Sequence, residues 1–240
     1  DDGEYAAVRA KFPNVCIYGS ETTSALSSRG IYARDNTKLQ CSSLDDDFVE
    51  WGDPAWRALK RHMDSSYLAG MFVWTGWDYL GEPTPFNKYP CKNSYFGIVD
   101  TAGFKKDVYY LYKSRWTQNP MIHIVNRNWN DKTEGASYPV MIYSNCYRVE
   151  LFANGQSVGS KLQTEIGSKY EFSYNVPYKK GTIVANGYDN SGNLVAQDIV
   201  YTSHDVNGLS LKPDKKEVDY ASDDFVFVTC DAIDSNNVLV

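Results

Sequence analysis

The side chains best placed to do chemistry stand at the ends of two short apolar runs. Residues 15–24 read VCIYGSETTS, in which β-branched and aromatic residues are closed by Gly19 and followed by the Glu21 carboxylate among the hydroxyls of Ser20, Thr22 and Thr23. A run of this kind, too short for a helix, is the pattern of a strand covered on both faces, and it carries Glu21 to its C-terminal tip. In a (β/α) barrel the carboxyl ends of the strands hold the catalytic groups, because the scaffold there is rigid while the loops above it vary. Glu21 is therefore a candidate catalytic carboxylate. On position alone, a strand-end glutamate that merely caps the next turn is the commoner case.

A second stretch of the same design shifts that balance. Residues 68–85 read LAGMFVWTGWDYLGEPTP, again an apolar run that ends in polar and aromatic residues, here Trp74, Trp77, Asp78 and Glu82. Flat indole faces beside carboxylates suit a sugar, whose C–H face stacks on an aromatic ring while its hydroxyls need charged or polar partners. A single tryptophan is usually core; two such strand tips in succession favour a binding surface.

The remaining elements are those needed to hold the two tips. Tyr5, Ala6, Val8 and Phe12 fall at helical spacing before Pro13, and Asp53-Pro54 offers an N-cap and a first-turn proline for a helix with Trp56, Leu59 and Met63 as its apolar stripe. Arg57, Lys60 and Arg61 complement that helix's dipole. The loop from Ser24 to Ser43, with Arg29 and Tyr32, is expected to arch over the site, and residues 86–93 to form its lip. Val108, Leu111, Tyr112 and Arg115 mark a helix within residues 104–116.

From Met121 the period changes to two. Ile122 and Ile124, then Val140, Ile142 and Tyr143, then Val149, Leu151 and Phe152 before Asn154-Gly155 announce hairpin strands, with a second hairpin centred on Asp189 to Asn193. Residues 121–203 thus read as a β-sandwich. Residues 204–209 break the pattern, after which Phe225 to Val228 is expected to be a strand and residues 231–238 repeat the hairpin logic of residues 189–195. About thirty residues cannot close a sandwich, so residues 204–240 read as the opening of a further β domain.

Composition excludes more than it selects. The 240 residues are 42% hydrophobic and 15% aromatic with a net charge of -6, enough to bury cores and without the basic stripe a nucleic-acid binder needs. Five cysteines, Cys16, Cys41, Cys91, Cys146 and Cys230, and three histidines are scattered without metal-ligand spacing; Cys16 is expected to fill a strand core. No apolar stretch approaches the length of a membrane span.

Tyr18 to Ser24 with Ser27 to Tyr32, then Gly70 to Pro85, Ser94 to Asp100 and Tyr109 to Trp116, taken in order, resemble the end of the catalytic barrel in glycoside hydrolase family 2, and most of all its bacterial β-galactosidases. The resemblance implies an α/β plus all-β fold: the C-terminal portion of a (β/α)8 TIM barrel, strands 7 and 8 with their helices, over residues 1–120, an immunoglobulin-like β-sandwich over 121–203, and an incomplete Ig-like domain over 204–240. It implies a fragment of a longer enzyme, a periplasmic or secreted bacterial hydrolase whose export signal lies outside these residues. By the same resemblance Glu21 is the nucleophile on the seventh strand, and Trp74 and Glu82 hold the sugar in the first subsite; Asp78 and Trp77, from the array at the same strand tip, are expected to bind sugar with them.

The implied reaction is that of a retaining glycosidase, in which one carboxylate attacks to form a glycosyl ester and a second, about 5.5 Å away, serves as acid and then base. In this family the acid/base follows an asparagine on the fourth strand, and no Asn-Glu dipeptide occurs here. The expected partners are a carbohydrate substrate, a β-galactoside or related glycan, and a second copy of the chain in a homo-oligomer, with no nucleic acid, cofactor, metal or membrane span. A β-glucuronidase or other family 2 β-glycosidase is the alternative within the class; a non-catalytic carbohydrate-binding segment is the alternative outside it.

Overall fold

The computed structural model describes residues 2–130 and 132–240. Helix α1 (Asp2–Lys11) leads into strand β1 (Ile17–Thr23); helix α2 (Ala55–Asp64) separates it from strand β2 (Leu68–Trp74), which pairs with β1 in parallel. A parallel neighbour requires a crossover, and α2 supplies it. Helix α3 (Asp107–Trp116) follows and packs with α2 through Ala55, Leu59, Val108, Leu111 and Tyr112, all buried. The apolar stripe expected on α2 is only partly inward: Leu59 is fully buried, Trp56 half-buried, and Met63 is 52% exposed.

The start of α2 is built differently from the sequence expectation. Pro54 occupies the N-cap position and has no capping side chain of its own. The cap comes from Asp45, whose two carboxylate oxygens accept from the Ala55 N–H at 2.8 Å and the Trp56 N–H at 2.7 Å. Asp53, expected as the cap, instead pairs with Arg57 at 3.0 Å and Arg61 at 2.7 Å. A carboxylate ten residues upstream does the work of a local cap, so the loop ahead of the helix is fixed to it. Burial pushes the Asp45 carboxyl up to about 7, against the pull of those two N–H donors.

Beyond α3 the chain is β. Strands β3 (Ile122–Val125), β4 (Ser137–Ser144) and β7 (Glu171–Pro177) form one antiparallel sheet in the order β3-β4-β7; strands β5 (Arg148–Ala153), β6 (Gln156–Leu162), β8 (Thr182–Tyr188) and β9 (Leu194–Tyr201) form the other in the order β6-β5-β8-β9. Inward positions alternate along each strand and meet in one core: Ile142, Val149, Leu151, Phe172, Val176 and Ala185 are completely buried. The β5–β6 hairpin turns on Asn154 and Gly155 with φ of 49° and 77°, the left-handed pair that a type I′ turn demands. At the β8–β9 turn, Asp189 accepts from the N–H groups of Ser191 and Asn193. These are the two hairpins expected from the dipeptides.

Strands β10 (Gly208–Pro213) and β11 (Val228–Ile233) make a separate antiparallel pair. Only Val228 of the apolar run at residues 225–228 is in a strand, and Phe225 and Phe227 are more than 70% exposed. The expected strand over residues 225–228 thus forms at Val228 alone. The turn at residues 234–238 forms as expected, with Asp234 accepting from the N–H groups of Asn236 and Val238. Cys16, expected as core filling, precedes β1 and is exposed; all five cysteines are free thiols, with Cys41 and Cys146 buried.

Candidate active site

The β1–β2 pair is irregular where it matters. Gly19 is registered with Met71 and Thr22 with Val73, so Ser20 and Glu21 together oppose Phe72. The extra residue is a bulge, a device that turns a side chain out of the regular alternation, and Glu21 is exposed at it. Among the described residues no hydrogen bond or ion pair engages its carboxylate. Beyond the bulge the strand is pinned: the Thr22 hydroxyl donates to the Phe72 carbonyl at 2.9 Å, and the Asp53 N–H donates to the Thr23 carbonyl at 2.6 Å. Thr23 and Ser24 take φ of 76° and 57°. A β-branched residue in that region is strained, and such strain concentrates at functional turns.

The β2 tip carries the other candidates. Trp74 ends the strand opposite Thr23 and is joined to Thr75 by a cis peptide bond. Its indole is half-buried and meets the Tyr79 ring edge-on, centroids 5.9 Å apart. The Tyr79 hydroxyl donates to the exposed Glu82 carboxylate. Burial, with the Glu82 acceptor second, pushes the Tyr79 phenol up to about 12, so it is a donor at neutral pH. Trp77 is 64% exposed. The structure thus brings Trp74, Tyr79 and Glu82 into one contiguous group, leaves Trp77 exposed on the segment that follows β2, and places Glu21 on the adjoining strand two positions short of the tip.

Asp78 differs from its neighbours. It is buried, and its carboxylate accepts from the Lys106 ammonium at 2.8–2.9 Å and from the Gly97 N–H at 2.8 Å. Those bonds direct it into the protein instead of toward a sugar. The strand-tip pattern predicts Asp78 as a sugar-binding carboxylate beside Trp74, Trp77 and Glu82; in the structure its oxygens are engaged by Lys106 and Gly97. Tyr79 and Lys106, the partners of Glu82 and Asp78, are not singled out by the sequence pattern. Nothing local to residues 104–107 signals that a lysine there is buried.

A third group of residues ties this region to the sandwich. The Tyr32 hydroxyl donates to Asp107 at 2.8 Å, the other Asp107 oxygen lies 2.7 Å from His123 Nε2, and His123 stacks on Tyr110 with ring centroids 3.7 Å apart. Asp198, on β9, accepts from the Ile124 N–H at 2.8 Å and from Arg127 at 2.6 Å. The loop after β1, α3, β3 and β9 are therefore linked by one chain of polar contacts. Among the described residues no cluster of His, Cys, Asp and Glu has the makings of a metal site, and no helix is long and apolar enough to cross a membrane.

Residues 135–196 match a family model described as a domain of unknown function (DUF4982). The chain is 34% identical over 250 residues to the β-galactosidase BoGH2A of Bacteroides ovatus, an alignment that takes in 97% of this chain and 29% of that protein. Among solved structures, a β-glycosidase from Bacteroides vulgatus superposes with a TM-score of 0.87 at 29% identity, covering 99% of this chain and 34% of that one. A β-glucuronidase from glycoside hydrolase family 2 shares the fold, with a TM-score of 0.72 at 21% identity over 95% of this chain and 24% of its own. The chain spans under a third of the length of the curated relatives it matches.

Proposed function

We propose, since this chain belongs to glycoside hydrolase family 2, that it is the part of a retaining exo-β-glycosidase that supplies the nucleophile, and that the enzyme removes terminal β-galactosides. The observation that carries the reading is Glu21: an exposed, unpartnered carboxylate turned out at a bulge, one strand away from the Trp74, Tyr79 and Glu82 group. In this reading β1 and β2 are the seventh and eighth strands of a (β/α)8 barrel, residues 121–203 are an immunoglobulin-like sandwich, and residues 204–240 open a further domain. Glu21 attacks the anomeric carbon as the aglycone oxygen leaves with a proton from an acid elsewhere in the enzyme, and water then cleaves the ester with retention. Trp74 and Trp77 face the sugar's C–H surface, Glu82 accepts from its hydroxyls, and Asp78 holds the loop that carries them.

A galactoside is favoured over a glucuronide on charge. Of the site groups named, Glu21 and Glu82 are exposed carboxylates and Lys106 is spent on Asp78. A uronate would meet repulsion there unless the rest of the enzyme brought a cation. The full-length enzyme should turn over nitrophenyl β-galactoside at least about tenfold more efficiently than nitrophenyl β-glucuronide, since one like-charge contact is worth about 1.4 kcal/mol or more. The reverse order would transfer the reading to a β-glucuronidase, and turnover of neither would favour a binding segment.

The two tryptophans should separate binding from packing. Trp77, largely in solvent, should be replaceable by alanine with the melting temperature nearly unchanged and KM raised. Trp74 packs on the cluster of Leu26, Val49 and Phe96 as well as on Tyr79. Trp74→Ala should therefore cost about 1–3 kcal/mol of stability and, per folded molecule, about 10²-fold in kcat/KM. Kinetics normalised to the folded fraction test this; normal turnover per folded molecule would make Trp74 core alone.

A further inference from the structure

Lys106 is 1% exposed, one of the largest fully buried side chains in the protein. An ammonium in such a place is costly unless its three donors are matched. Here they are. Nζ donates to the Ser27 carbonyl at 2.7 Å and to the Asp78 carboxylate at 2.8–2.9 Å, with the Tyr95 carbonyl at 3.5 Å. Ser27 lies on the loop that continues β1, Asp78 on the segment that continues β2, and Tyr95 on the return segment that also accepts the Ser27 N–H at 2.9 Å. One cation therefore sits where the two loops leaving the candidate strand tips meet.

The Asp78 side of this junction is closely built. Residues 75–79 run beside residues 94–99 through backbone bonds from Thr75 to Phe96, Ile98 to Thr75, Val99 to Gly76 and Asp78 to Val99. A Cβ on Gly97 would fall 2.0 Å from the Asp78 nitrogen, so only glycine allows that approach. The chain neighbours of Asp78 are the exposed Trp77 on one side and Tyr79, bonded to Glu82, on the other. Burial pushes the Asp78 carboxyl up and the Lys106 ammonium down, and the attraction between them opposes both.

We propose that Lys106 is a positioning residue for sugar binding: through Asp78 and Ser27 it locks the loop carrying Trp77, Tyr79 and Glu82 against the loop that follows Glu21. The proposal rests on the glycosidase reading above, but the geometry it asserts can be measured without catalysis. A displacement of about 1 Å in a positioning group can cost about 10²-fold in rate, so a staple shared by both loops is worth more to activity than to folding.

The test uses the full-length enzyme. Lys106→Met alone strands a buried carboxylate and can unfold the protein, so it is compared with the double variant Lys106→Met/Asp78→Asn, which removes both charges while the amide oxygen can still accept from the Gly97 N–H. The double variant should melt close to the wild type, exchange amide hydrogens at least about tenfold faster in residues 24–32 and 75–85 but not in residues 121–203, and lose about 10²-fold in kcat/KM on an aryl β-galactoside. Unchanged exchange in those loops, intact catalysis despite faster exchange, or loss of the fold in the double variant would each overturn the proposal. If the wild type turns over no aryl glycoside, the glycosidase reading falls by itself, and the exchange contrast alone decides whether Lys106 fixes the loops.

Discussion

Glu21→Ala should lower kcat of the full-length enzyme on an aryl β-galactoside by roughly 10⁵-fold while leaving its melting temperature almost unchanged. The size of the kinetic effect follows from the role: a covalent nucleophile acts as a unit with its partner acid, and deleting one such member typically costs ~10⁴ to 10⁶ in kcat. The small thermal effect follows from the absence of any hydrogen bond or ion pair on the Glu21 carboxylate among the described residues, so that its removal strands no partner within this chain and should stay within about 0.5 kcal/mol. Added azide should restore turnover in the alanine variant. It enters the vacated space, attacks the anomeric carbon from the face that Glu21 used, and leaves an α-galactosyl azide, while the aglycone departs as before. With the wild type, a 2-fluoro galactosyl inactivator bearing a good leaving group should label Glu21: the fluorine destabilises the oxocarbenium-like transition states of both steps, the leaving group still lets the ester form, and its hydrolysis is then too slow to release it. A label on Glu82, or a Glu21→Ala variant with more than about a hundredth of wild-type kcat, would remove Glu21 from the reaction.

Much of this arrangement is written locally, which is why it is legible without coordinates. β1 and β2 are short apolar runs bounded by glycine and polar residues, and the Asn154-Gly155 turn needs no tertiary information to be read. The illegible parts are those in which distant residues meet. Asp45 caps α2 from ten residues upstream, so the proximity of Asp53 to the helix start misleads. Asp78 looks like a ligand until Lys106, twenty-eight residues on, is seen to take its charge. The bulge that turns out Glu21 arises from a register shift between two strands fifty residues apart, and register is a property of the pair. Phe225 to Val228 carries the hydrophobicity of a strand, yet a strand also requires a partner, which only Val228 finds.

The 240-residue chain purified by itself should hydrolyse no aryl galactoside. Glu21 alone can attack, but the leaving oxygen then departs without a proton, and general acid catalysis is typically worth ~10² to 10⁴ in rate. Glu82, the carboxylate nearest in kind, is bonded to Tyr79 at the β2 tip. The scaffold argues in the same direction. β1 and β2 form a sheet of two strands, so each presents an open edge, and Tyr18 and Phe72, packed edge-on with centroids 6.0 Å apart, are 56% and 66% exposed. Parallel strands are stable when buried on both faces, and open edges with apolar faces invite association. The sandwich has what the parallel pair lacks: seven strands in two sheets around a core containing Leu151, Phe172 and Val176. Hydrogen exchange on the isolated chain should accordingly show protection across residues 137–201 and little across residues 17–23 and 68–74. Adding the remainder of the enzyme as a separate polypeptide should protect both strands and bring hydrolysis with it. Turnover by the isolated chain, at a rate that Glu82→Gln abolishes, would instead place the acid at Glu82 within this sequence.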